Sequence, residues 1–94
     1  PTLLVDVDHR MRITQEECFG PVMVVIKVRD DADAVRLAND CPFGLGSSIF
    51  SRDRKRAEAI AAQLRTGMTV VNDYGVAYMM QDLPFGGVGI SGIG

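Results

Sequence analysis

Glu16, Glu17 and Cys18 are consecutive, two carboxylates set beside a thiol. A cysteine attacks as its thiolate, and adjacent carboxylates raise the thiol pKa, so the run speaks against Cys18 as a nucleophile. The second thiol, Cys41, has no C-x-x-C partner, and His9 is the sole imidazole. One histidine near a terminus gives no Ser-His-Asp set, and a structural zinc site needs about four Cys/His ligands. No catalytic residue and no metal ligand is therefore assigned. Gly87-Val88-Gly89-Ile90-Ser91-Gly92 matches G-x-G-x-x-G letter for letter. That fingerprint cradles a pyrophosphate where a strand turns into a helix. Here Pro84-Phe85-Gly86 precedes it and the chain ends before a helix can follow, so a flexible turn is the better reading. Arg52-Asp53-Arg54-Lys55-Arg56 crowds four cations around one acid. Such a run reads as the solvated first turn of a helix, with a phosphate-binding patch as the alternative.

An alternation of strands and helices must position these groups. Thr2-Leu3-Leu4-Val5-Asp6-Val7 reads as a strand, and residues 8–16 as loop or a short helix. The run from Val22 to Val28 is the strongest strand, and its near-continuous apolar character predicts burial on both faces in a parallel sheet. Asp30 and Asp31 supply N-cap and first-turn carboxylates for a helix. Ala34, Leu37, Ala38 and Cys41 repeat along one face of it until Pro42 and Gly44 stop it. Cys41 thus reads as a core residue. Leu45 to Phe50 is a third strand. Asp53 caps a second helix with Ala57, Ile60, Ala61 and Leu64 inward, and Gly67 is expected to close it in the left-handed conformation. Met68 to Val71 is a fourth strand. The fold class is α/β, a βαβαβ pattern with right-handed crossovers. The stretches 72–82 and 84 onward have no periodicity, yet carry Tyr74, Tyr78, Met79, Met80 and Phe85. That content predicts the wall of a pocket or an interface.

The composition is globular, 47% hydrophobic and 23% charged. Ninety-four residues bury only about 60–65% of their unfolded surface, which makes an independent fold marginal. The net charge of −2 argues against a nucleic-acid partner. Two cysteines are too few for a secreted disulfide scaffold, so a cytoplasmic or other reducing compartment is expected. No apolar run reaches the ~18–20 residues of a membrane span. The chain opens Pro1-Thr2 without Met and closes Ser91-Gly92-Ile93-Gly94 in a turn. Both ends read as cut, leaving targeting signals or a membrane attachment through a missing segment open.

Four ordered blocks carry a family resemblance. Glu16-Glu17-Cys18-Phe19-Gly20-Pro21-Val22 resembles the E-x-F-G-P-V segment of the aldehyde dehydrogenase superfamily. Ala38-Asn39-Asp40-Cys41-Pro42-Phe43-Gly44-Leu45-Gly46 is similar to its A-N-D-x-x-[YF]-G-L segment, and Gly67 to Asn72 to its G-x-V-x-V-N strand. Pro84-Phe85-Gly86-Gly87 with Ser91-Gly92-Ile93-Gly94 is similar to P-F-G-G-x-x-x-S-G-x-G. The resemblance spans essentially the whole chain. It departs from the commoner pattern at Gly89, where many members carry Lys and some branches Gly. The segment Tyr78 to Leu83 is longer than in many members and resembles a plant and fungal branch of undefined substrate.

The resemblance implies that residues 1–94 are a C-terminal fragment of the three-layer catalytic domain of an NAD- or NADP-dependent aldehyde dehydrogenase. In that family a cysteine thiolate attacks the aldehyde, hydride passes to nicotinamide and a glutamate-activated water hydrolyses the thioester. Nucleophile, glutamate and oxyanion-hole asparagine lie upstream in the family and match no residue here, so the fragment alone is expected to be inactive. Glu17 matches the glutamate that hydrogen-bonds the nicotinamide ribose, and Phe19 the aromatic beside it. Phe85 matches a position lining the aldehyde pocket, and Tyr74 falls in the same substrate-side loop. Asn72 is expected to hold that loop by side-chain hydrogen bonds. The implied partners are an aldehyde substrate, the rest of the parent chain and further copies in a homo-oligomer. A semialdehyde-oxidising or acyl-CoA-forming relative, and a freestanding non-catalytic α/β interaction module, are the alternatives.

Overall fold

The computed structural model describes residues 1–92. The final Ile93-Gly94 of the Ser91-Gly92-Ile93-Gly94 block lie outside the described residues. Strands and helices alternate: β1 (Thr2–Leu4), α1 (Arg12–Gln15), β2 (Val22–Val24), α2 (Asp31–Asn39), β3 (Gly46–Ile49), α3 (Arg54–Ala61), β4 (Met68–Val71) and α4 (Val76–Met79), followed by a 3-10 turn at Gly89–Ser91. The α/β class and the order from β1 to β4 agree with the sequence reading, whereas α4 falls in the stretch 72–82 that was expected to be loop. The strands form two parallel pairs. β1 runs beside β2 with Thr2 opposite Val22, and β3 beside β4 with Gly46 opposite Met68. α2 thus connects two sheets, whereas β3-α3-β4 is a complete crossover unit.

Both helix starts follow from their caps. The Asp30 carboxylate accepts from the Asp33 N–H at 2.8 Å and the Asp53 carboxylate from the Arg56 N–H at 3.0 Å. Each satisfies a first-turn donor that has no intrahelical partner. A bidentate pair from Arg56 to Asp31, both contacts 2.6 Å, ties the two helix starts together. Asp33 is buried, 8% exposed, and is held by Arg36 at 2.7 Å and by the Arg29 N–H at 3.3 Å. The Arg36 guanidinium, then the Arg29 N–H, keep its carboxyl below the usual carboxylate range. α3 packs on β4, and its Ala57 is fully withdrawn from solvent.

Three expectations are corrected. The strand expected over 22–28 ends at Val24, with Val22, Met23, Val25 and Val28 exposed. Its partner is the cause: Asp6 turns β1 away with φ +54, so the ladder stops after the Val25 N–H bonds the Leu4 carbonyl at 2.8 Å. Cys41 lies past the end of α2 and is half-buried, its Sγ accepting from the Phe43 N–H at 3.3 Å. Gly67 is not a left-handed cap: α3 ends at Ala61 with its C-cap Ala62 in right-handed conformation, and the left-handed glycines are Gly75, Gly89 and Gly92. Gly67 is needed for close approach instead, because a Cβ there would collide with the Gly86 carbonyl.

Candidate functional site

The Gly87–Gly92 segment is held, where a flexible turn was expected. The Val88 N–H bonds the Gly44 carbonyl and the Ile90 N–H the Pro42 carbonyl, both at 3.0 Å, while the Gly44 N–H donates to Ser91 Oγ at 2.8 Å. The Gly67 N–H also reaches the Gly44 carbonyl, at 2.9 Å. The turn after α2, the start of β4 and the last segment therefore meet at Gly44. Gly89 sits there with φ +62, and a Cβ at that position would strike the Pro42 carbonyl. Only the single 3-10 turn follows the glycines, and a loop precedes them, so the strand-to-helix geometry that binds a pyrophosphate is missing among the described residues.

Glu16 and Glu17 leave α1 as neighbours with different fates. Arg12 holds Glu16 through contacts of 3.0 and 3.1 Å, one helical turn apart. The guanidinium hydrogen bond lowers the Glu16 carboxyl from its ordinary value. Glu17 is exposed, and among the described residues no side chain or backbone group hydrogen-bonds its carboxylate. Phe19 follows, 94% exposed. Both border a shallow cleft of about 460 Å³ with Arg12, Ile13 and Cys18. Glu17 also edges a larger concavity of about 660 Å³, whose floor includes Asn39, Phe43, Gly44 and Ser47.

The residues expected on the substrate side lie around a second concavity at β3. Asn72 takes φ +56 and its Oδ1 accepts from the Ser51 N–H at 2.8 Å, which fixes the chain leaving β4. The expected tethering role of Asn72 is thus visible. Tyr74, 84% exposed, borders a cavity of about 420 Å³ with Gly46, Met68, Val70 and Tyr78. Tyr78 in turn stacks on Phe85, ring centroids 5.5 Å apart and planes at 55°. Phe85 therefore reaches this cavity through Tyr78 and is not part of its lining.

The structure brings Glu17 together with Phe19, and Tyr74 with Phe85 through Tyr78. It separates the two pairs by the start of β3, where Leu45, Gly46 and Ser47 line both concavities. The sequence placed Tyr78 among the residues expected to wall a pocket or an interface, and Tyr78 lines the cavity beside Tyr74. It did not single out Ser91, whose partner lies 47 positions away and leaves no local signal. Among the described residues no group of three His, Cys, Asp or Glu could hold a metal ion, and no helix is long and apolar enough to cross a membrane.

The family model for the aldehyde dehydrogenase family matches residues 1–94. Over the whole chain, an aldehyde dehydrogenase-like protein of Schizosaccharomyces pombe is 46% identical and the NADP-dependent succinate-semialdehyde dehydrogenase of Deinococcus radiodurans 50% identical; the chain spans 18% and 19% of their lengths. Among solved structures, Mycobacterium tuberculosis aldehyde dehydrogenase complexed with NAD+ superposes with a TM-score of 0.91 at 40% identity, over 98% of this chain and 18% of that one.

Proposed function

The chain belongs to the aldehyde dehydrogenase family, and on that premise we propose that it is the C-terminal part of the catalytic domain of an NAD- or NADP-dependent enzyme oxidising an aldehyde to a carboxylic acid. When bound, the nicotinamide cofactor supplies the acceptor for the hydride that leaves the aldehyde carbon. Glu17 accepts hydrogen bonds from the vicinal hydroxyls of the nicotinamide ribose, and Phe19 packs beside the ring. Tyr74 walls the aldehyde side and Phe85 backs it through Tyr78, and apolar surface there favours apolar aldehydes.

The observation that carries this reading is the contrast between two adjacent carboxylates. Glu16 is satisfied by Arg12, whereas Glu17 keeps its lone pairs free beside a bare aromatic face. A carboxylate with free lone pairs can take both hydroxyls of a diol, and charged acceptors make stronger bonds than neutral ones. The nucleophile and the water-activating base belong to the rest of the parent chain, so these residues alone are inactive. That remaining chain, and further copies, are the partners proposed for the exposed apolar faces. Both thiols are free, which suits a reducing compartment.

A semialdehyde substrate is the second reading, favoured by the similarity to the Deinococcus enzyme. A panel of succinic semialdehyde against apolar aldehydes of similar length separates the two by kcat/KM. The primary test is Glu17→Gln in the intact parent enzyme. Single-turnover formation of reduced cofactor should slow about tenfold, with thioester hydrolysis little changed. An unchanged rate at saturating cofactor removes Glu17 from the site.

A further inference from the structure

His9 is the one imidazole in the chain and has no place in the chemistry above. Its side chain is 16% exposed, and Nε2 lies 3.0 Å from the Asp40 carbonyl oxygen and 3.3 Å from Asp40 Oδ2. Towards a carbonyl an imidazole nitrogen can only donate, so Nε2 carries the hydrogen. Gln15 Nε2 stands 2.9 Å from the same ring nitrogen, and one of its two amide hydrogens goes to the His9 carbonyl at 3.0 Å. Asp40 is the C-cap of α2, where the last carbonyls have no intrahelical partner. A donor there satisfies an orphan acceptor and suits the negative end of the helix.

What hangs on this contact is the segment that carries Glu17. Thr14 and Gln15 fold back onto the His9 carbonyl, so α1 and the His9 backbone form one local knot. Arg10 pairs with Asp8 and Arg12 with Glu16, both within the same stretch. Among the described residues, His9 to Asp40 is the one hydrogen-bonded tie between residues 8–19 and the rest of the chain. The far side of the tie is firm. Asn39, next to Asp40, donates to the Gln63 carbonyl at 2.9 Å and accepts from the Arg65 N–H at 2.8 Å, which anchors the end of α2 to the turn leading into β4.

We infer that His9 is a positioning residue for hydride transfer: by donating to the Asp40 carbonyl it holds α1 against the end of α2 and so sets where the Glu17 carboxylate stands. The inference rests on the reading of Glu17 as the ribose-contacting group. It predicts that His9 acts through Glu17, which a purely structural contact would not do.

The test is a double-mutant cycle in the full-length parent enzyme, read as the single-turnover rate of reduced-cofactor formation at saturating cofactor and aldehyde. His9→Ala should slow that step about five- to tenfold, the range of one hydrogen bond lost at a positioning contact. His9→Gln, whose amide nitrogen reaches the Nε2 position, should restore the rate to within about twofold. His9→Asn reaches only the Nδ1 position and should behave like Ala, which keeps the test open where the alanine variant does not fold. Glu17→Gln combined with the loss variant should be no slower than Glu17→Gln alone, since residues acting as one unit are non-additive. Full activity of the loss variants while Glu17→Gln is slow overturns the inference and leaves the ribose reading standing. Multiplicative effects, or slow His9 variants beside a fully active Glu17→Gln, also overturn it, the latter together with the ribose reading.

Discussion

Tyr78 and Phe85 face each other at 5.5 Å with their planes tilted 55°, so the ring assigned to the aldehyde wall leans on a ring from α4. A tilted aromatic pair contributes about 0.5–1.5 kcal/mol beyond its buried area. In the intact enzyme, Tyr78→Leu should therefore lower kcat/KM for an apolar aldehyde between about twofold and tenfold, with Tyr78→Phe close to wild type. Steady-state kinetics on both variants checks this. A Tyr78→Phe defect as large as that of Tyr78→Leu would point to the hydroxyl and away from stacking.

Gly67 faces the Gly86 carbonyl with no room for a methyl group. Gly67→Ala must push the start of β4 away from the Phe85-Gly86 segment, and overpacking of this kind costs about 1–3 kcal/mol. The thermal midpoint of the intact enzyme should fall by several degrees, and KM for the aldehyde should rise with it. An unshifted midpoint would mean that the two segments lie further apart than described.

Asp33 sets a pH dependence of stability. Its folded-state pKa is lowered, first by the Arg36 hydrogen bond and then by the Arg29 N–H. A carboxyl of this kind stabilises the fold fully above its unfolded pKa of about 3.9 and loses that contribution as pH falls towards the folded value. Asp33→Asn should be less stable than wild type at neutral pH, and the gap should narrow below roughly pH 4. Thermal midpoints measured across the acid range test this, and parallel curves would show that the pairing carries no linked proton.

Local chemistry was legible in the sequence because its causes are local. Asp30 and Asp53 cap the helices expected of them, and Met68 to Val71 forms the strand its β-branched run suggests. The family blocks named Glu17 and Phe19, and the structure sets both on one cleft. What the sequence hid was non-local. The strand over 22–28 stops early because Asp6 withdraws its partner, and nothing within 22–28 encodes that. Gly67 has the composition of a helix cap but answers to a carbonyl 19 positions further on (Gly86), so its function depends on a segment no local rule reaches. The same holds for His9, whose acceptor is a backbone carbonyl and has no signature in side-chain spacing.

The meeting of three segments at Gly44 fixes an order of events during synthesis. Its carbonyl waits for the N–H groups of Gly67 and Val88, and its own N–H waits for Ser91. While the ribosome still holds residues 88–91, β3 and β4 can pair, yet the Gly44 N–H in the turn between α2 and β3 has no acceptor. A nascent chain stalled before Ser91 would therefore present an unfinished latch at Gly44.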